Sequence, residues 1–220
     1  MAIRKVYNKN FFKTWSRDMA YFLGFFCADG NMVKNKRGGC YISIYSADKN
    51  IVLDLQNTIG SKHKLSSVKS ETGVTYRFQI GSTELYKDLC ILGITPDKTS
   101  RMKLPKMPKQ YEPDFIRGYF DGDGNVWTGV VKRKVTKDGY KMLVGFTSAS
   151  KGFLSHLSFI LKERGISGGS LFNIKNKNCS RLSLSTLDAL KLYKIMYNKP
   201  HKLFLRRKKL VFEKFIKMRW

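Results

Sequence analysis

The apolar positions of the chain change period in a fixed order, and that order predicts its elements. Met19 to Cys27 is almost wholly apolar, follows the candidate N-cap Ser16 and closes near Asp29, which predicts a helix. Met32 to Gly39 reads as a strand entering a turn. In Cys40 to Ser46, Ile42 and Ile44 alternate with Tyr41, Ser43 and Tyr45, the period of a half-exposed strand. Ile51, Val52, Leu55 and Ile59 return to helical spacing and Gly60 ends them. Strands around 63–69 and 74–80 follow, the second setting Tyr76, Phe78 and Ile80 against Thr75, Arg77 and Gln79. A short helix covers Thr83 to Leu92 and stops at Gly93. The Pro- and Lys-rich run from Pro96 to Pro108 reads as a linker.

The second half of the chain runs through the same order. Ile51, Val52, Leu55 and Ile59 match Phe153, Leu154, Leu157 and Leu161; Arg77, Phe78 and Ile80 match Arg181, Leu182 and Leu184; Pro96 and Lys98 match Pro200 and Lys202. The second hairpin (127–141, rich in Lys and Arg) is the longer one. Matched patterns separated by loop insertions are the mark of an internal duplication. The expected organisation is a basic arm at 1–15, docked through Phe11, Phe12 and Trp15; a first repeat at 16–95; a linker at 96–112; a second repeat at 113–202; and a basic amphipathic helix at 203–220. The fold class is α+β: two pseudo-symmetric αββαββα halves, each with a four-stranded antiparallel sheet.

The duplication is plainest in two stretches, Phe22-Leu-Gly-Phe-Phe-Cys-Ala-Asp-Gly30 and Ile116-Arg-Gly-Tyr-Phe-Asp-Gly-Asp-Gly124, each followed by Asn. Gly24/Ala28 and Gly118/Gly122 fall on one helix face, one turn apart. Small residues so placed let helices approach closely, and each copy is the natural partner of the other. Such packing sets Asp29 beside Asp123, where two carboxylates and the negative helix ends call for a cation. Hard oxygen ligands suit magnesium. A single copy would read equally as a helix end with a C′ glycine and a capping aspartate; duplication of the whole pattern favours a shared metal site. Asp121 and Arg117 read as structural, and Trp127 as a core residue.

These stretches resemble the paired signature of LAGLIDADG homing endonucleases in their single-chain, double-motif form. Cys27 stands where the first motif often carries Asp, and Arg117 interrupts the apolar start of the second. The resemblance implies the αββαββα halves packed through the motif helices. It also implies a monomeric, sequence-specific DNA endonuclease that leaves short 3′ overhangs at a long pseudo-palindromic duplex and spreads a mobile intron or intein-like element. The implied metal site consists of Asp29 and Asp123 with the adjoining Ala28 and Gly122. The implied cation is magnesium, with manganese as a substitute and calcium binding without supporting cleavage. A basic residue near the end of each repeat assists in the family, and the matching positions are Lys98 and Lys202. Ser46 and Ser148 match a water-ordering position. The alternative is a protein that kept the fold without cleavage, as an intron RNA maturase binding its own intron or as a transcriptional regulator.

Composition points the same way. Lys and Arg total 42 against 16 acidic residues, a formal charge of +26, which repels itself unless a polyanion is the partner. The polar strand faces supply the contacts: Tyr41, Ser43, Tyr45, Ser46, Arg77 and Gln79 in one half, and Lys141, Thr147, Ser148, Asn173, Lys175, Arg181 and Ser183 in the other. Arg, Gln and Asn read base edges in the major groove, and Lys favours phosphates. Plain solvation is the other reading of a polar strand face. The four cysteines and three histidines lack metal-ligand or disulfide spacing. No P-loop pattern, signal peptide or membrane span is evident, so the expected setting is intracellular (cytoplasm, nucleoid or an organelle) with no membrane partner.

Overall fold

The computed structural model describes residues 6–71, 73–96, 98–131 and 139–219, the side chains of 98 and 99 excepted. Most of the charged hairpin tip and the first five residues of the arm lie outside them. The elements are α1 (Arg17–Asp29), β1 (Gly30–Lys34), β2 (Cys40–Ser46), α2 (Lys49–Thr58), β3 (Ser66–Ser70), β4 (Gly73–Gly81), α3 (Thr83–Ile91), α4 (Lys98–Arg101), α5 (Glu112–Asp123), β5 (Gly124–Val131), β6 (Gly139–Ser148), α6 (Lys151–Glu163), β7 (Ser170–Asn173), β8 (Ser180–Leu184), α7 (Thr186–Tyr197) and α8 (Arg206–Arg219). Two antiparallel sheets result, ordered β1-β2-β4-β3 and β5-β6-β8-β7. The duplicated αββαββα order is therefore present as read. Among the described residues, no helix is long and apolar enough to cross a membrane.

The chain forms two compact units, Met1–Lys98 with Pro105–Gly122 and Thr99–Leu104 with Asp123–Trp220. They do not follow the repeat boundaries, because α5 packs as part of the first unit up to Gly122. The segment read as a linker contributes to both units. Its Met102 is buried in the second, where the carbonyl accepts the Ser150 hydroxyl at 2.8 Å.

In the first unit the Ser16 hydroxyl accepts from the Met19 amide at 3.1 Å and starts α1. Met32, Ile42, Ile44, Phe78 and Ile80 form the inward sheet face, all buried, and α2 and α3 pack on it. The arm is docked as its aromatics suggest: the Phe11 and Phe12 rings lie 5.1 and 5.6 Å from Phe22, and Trp15 stacks on Tyr111. In the second unit Met142, Val144, Phe146, Leu182 and Leu184 face inward, with α6 and α7 against β6 and α8 against β5. Trp127, expected in the core, is 43% exposed instead. Its position on β5 shares the outward parity of Asn125, and its indole lies across Gly129.

Arg117, which interrupts the apolar start of the second motif, has its charge met locally. Its guanidinium pairs with Asp114 at 2.8 Å and lies 5.2 Å from the Tyr21 ring centroid, and the Tyr21 hydroxyl donates to Asp121 at 2.7 Å. All four residues are buried, so removing one ionic partner exposes the desolvation penalty of the other. Asp114→Ala is expected to lower stability by about 3 kcal/mol, read as a shifted urea midpoint at unchanged slope.

Candidate active site

The motif helices meet backbone to backbone through their glycines. A methyl group on Gly24 would lie well under 3.0 Å from the Phe115 carbonyl oxygen, with the Tyr119 amide at 2.9 Å. A methyl on Gly118 would lie equally close to the Tyr21 carbonyl oxygen, with the Phe25 amide at 2.9 Å. The two contacts are reciprocal: Tyr21, Gly24 and Phe25 stand in α1 where Phe115, Gly118 and Tyr119 stand in α5. The close approach continues for one more turn, where a methyl on Gly122 would collide with the Ala28 side chain and lie 3.5 Å from the Asp29 carboxylate. One residue further each helix ends on its aspartate, half-buried Asp29 and exposed Asp123.

The plain reading of Gly30 as a left-handed helix cap does not hold. Its φ is −88° and ψ 153°, extended backbone that needs no glycine. Glycine is needed for space instead, because a Cβ there would strike the Phe26 ring and carbonyl. Gly124 likewise is absent from the left-handed glycines among the described residues. Helix therefore runs directly into strand at both motifs, which leaves each aspartate at the junction. The donors available there are hard oxygens. Among the described residues no group of three or more His, Cys, Asp or Glu forms a metal cluster. The carboxylate oxygens at each motif end are hard donors of the kind that suits magnesium.

Of the two basic residues matched by sequence, Lys202 is exposed on the loop before α8, and Lys98 opens α4 with a side chain outside the described residues. A different lysine reaches the second motif. Lys208 on α8 is 6% exposed and donates from Nζ to the carbonyl of Gly124, the residue after Asp123. α8 is held by aromatic contacts, Phe215 stacking on Tyr140 at 5.5 Å and Phe212 lying 5.4 Å from Tyr193. Lys208, Phe212 and Phe215 are its buried residues. Their i, i+4, i+7 spacing was the available sequence signal, masked by the lysine's charge.

The Ser46 and Ser148 hydroxyls each accept from a backbone amide within a local turn. Ser46 accepts from the Asp48 amide at 3.2 Å and Ser148 from the Ser150 amide at 3.1 Å, closing the same strand-to-helix turn in both halves. Ser148 is also buried.

Strand register places Tyr41, Ser43, Tyr45, Arg77 and Gln79 on the outward face of the first sheet, and Lys141, Thr147, Arg181 and Ser183 on that of the second. Five expected contact residues depart from this, two of them Ser46 and Ser148, which share the inward parity of Ile44 and Phe146. Ser43 is 4% exposed, enclosed on the central strand between Asn31 and Gln79. Asn173 pairs with Ser180 and so falls on the opposite face, where it accepts the Ser180 hydroxyl at 2.9 Å. Lys175 lies beyond the end of β7. Two residues not singled out as contacts, Asn125 and Gly145, belong to the outward face beside Arg181.

Comparison with known proteins agrees with this architecture. A model of the LAGLIDADG-like domain matches residues 16–90 and 111–194. An uncharacterized protein of Methanocaldococcus jannaschii is 26% identical over 194 residues, covering 82% of this chain; the chain spans 66% of that relative's length. Among solved structures, the LAGLIDADG meganuclease I-AabMI bound to uncleaved DNA superposes with a TM-score of 0.64 at 14% identity, covering 90% of this chain and 89% of the meganuclease. I-SmaMI, bound to an uncleaved DNA target in the presence of calcium ions, gives 0.53 at 12% identity, with 85% and 83% covered. Two matched repeats, two sheets of the same strand order and two motif helices in backbone contact make one conclusion: the chain belongs to the LAGLIDADG-like domain family.

Proposed function

We propose that the protein is a sequence-specific endonuclease of double-stranded DNA that uses a divalent cation, magnesium, held by Asp29 and Asp123. The observation that carries this reading is the reciprocal glycine contact of α1 and α5, continued to Ala28 and Gly122, with an aspartate next in each chain direction. Nothing in helix packing alone requires an acidic residue at both ends. The outward sheet faces, with Arg77, Gln79, Lys141 and Arg181, supply duplex contacts, and the charge of +26 supplies affinity for phosphate. The DNA-bound relatives support the choice of ligand, and the calcium in one of them supports a divalent ion.

In this mechanism Asp29 and Asp123 would hold the cation, which when bound would supply activation of water and neutralisation of charge at the scissile phosphate. Lys208, which replaces Lys202 in the proposal, pins the Gly124 carbonyl and so fixes the junction that carries Asp123, and its buried ammonium adds positive potential beside the developing charge. Monomeric action, intron homing and an intracellular setting complete the proposal.

The test is magnesium-dependent production of duplex ends from a DNA pool, with calcium as the non-productive control. Ends formed in magnesium and absent in calcium support the reading; tight binding with no ends in either metal overturns it in favour of a non-cleaving relative. Within the active protein, Lys208→Met is expected to slow single-turnover cleavage about 100-fold with duplex affinity changed little. Cleavage unaffected by that variant would return Lys208 to a purely structural role.

A further inference from the structure

The outward faces of the two sheets differ at one register position, and the difference redirects an arginine. In the second sheet Asn125, Gly145 and Ser183 lie side by side on β5, β6 and β8, and Arg181 pairs with Thr147 one step along. The Arg181 side chain crosses Gly145 and donates from Nη2 to the Asn125 carboxamide oxygen at 2.6 Å. It crosses there because Gly145 has no Cβ: a methyl would lie under 3.0 Å from three guanidinium atoms. In the first sheet the equivalent row is Asn31, Ser43 and Gln79, and Arg77 pairs with Tyr45 as Arg181 pairs with Thr147. Ser43 fills the crossing that Gly145 leaves open. Arg77 turns the other way, donating from Nε to the Ser66 hydroxyl on edge strand β3 at 3.3 Å, with its guanidinium carbon 6.0 Å from the Tyr45 ring centroid.

The partner that holds Arg181 is an uncharged amide, so the guanidinium keeps its full charge, and that bond uses only one of its five N–H donors. A planar fork fixed at one corner is pre-set for two parallel acceptors, the pattern that guanine presents as O6 and N7. Asn125 is two residues beyond Asp123, so the fork is drawn toward the motif end of the strand.

We propose that Arg181, steered across Gly145 by Asn125, is a specificity-determining residue that reads one guanine next to the cleavage centre, and that Ser43 directs Arg77 to a different position of its own half-site. The target is therefore not two-fold symmetric at these base pairs. The inference rests on the duplex-DNA reading above.

The experiment selects bound sequences from a randomised duplex pool in calcium, for the full-length protein and for Arg181→Ala, Arg181→Lys and Gly145→Ser, with thermal unfolding as the check on folding. The unmodified protein is expected to enrich a site containing one near-central guanine that Arg181→Ala no longer selects. Preference for that base falls roughly 5- to 150-fold, the range for one bidentate contact, and other positions stay unchanged. Gly145→Ser is expected to reproduce this loss with the arginine still present, and Arg181→Lys to keep overall affinity while losing the guanine. A profile unchanged by all three variants, with a site still enriched, overturns this inference alone. Uniform weakening across all sequences does the same, since it marks a phosphate contact. No enriched duplex from the unmodified protein removes both this inference and the function on which it rests.

Discussion

Gly118→Ala is expected to lower the thermal midpoint by about 10 °C, the scale of a 3 kcal/mol loss in a chain of this size. Alanine is ordinarily the better helix former by about 1 kcal/mol, so local propensity predicts the opposite sign. Packing wins because the added methyl meets the Tyr21 carbonyl oxygen and the Phe25 amide, which are backbone and cannot rotate away. Relief would require α1 and α5 to separate, exposing part of the apolar surface around Phe22, Phe25, Phe115 and Tyr119, all at most 1% exposed. Gly24→Ala carries the same expectation by the reciprocal contact. Gly152→Ala near the start of α6 is the control: its nearest neighbour would be the Ser150 hydroxyl at 4.0 Å, so propensity alone acts and stability stays level or rises by up to about 1 kcal/mol. Calorimetry on the three variants decides between packing and propensity.

Asp29→Asn and Asp123→Asn are each expected to reduce magnesium-dependent cleavage at least about a thousandfold, some 4 kcal/mol of barrier, because an amide oxygen binds a divalent cation far more weakly than a carboxylate. Affinity for duplex should stay within a few-fold, since the sheet faces and the overall charge are untouched. Asn is close in size to Asp, so stability is expected to change little. Single-turnover cleavage measured beside binding in calcium separates the two effects. Equal loss of binding and cleavage would mean that the aspartates organise the fold.

Much of this was legible because two periods are hard to counterfeit. Alternation of 2 and 3.6 in a repeated order gave eight strands and the motif helices, and glycines one turn apart gave the face on which those helices meet. What sequence could not supply was parity and enclosure. Trp127 reads as core by its size, yet its strand position pairs with Leu143 on the outward face. Ser43 alternates like an exposed residue, but a central strand with partners on both sides hides so small a side chain. Asn173 has the odd numbering of Arg181, yet across the turn between β7 and β8 it pairs with Ser180, and one residue of register moves a side chain to the other face. Lys208 was lost for a different reason. A lysine within an amphipathic tail is ordinarily solvated, and the carbonyl that accepts it belongs to Gly124, distant in sequence.

The most direct measurement is sequencing of the DNA ends produced when the unmodified protein and an Asp29→Asn/Asp123→Asn double variant are incubated with a randomised duplex pool in magnesium. The account predicts ends that converge on one long, imperfectly two-fold site with short 3′ overhangs from the unmodified protein, and none from the double variant. Ends of the same sequence and yield from both proteins would contradict it, because the paired aspartates would then have no part in cutting DNA.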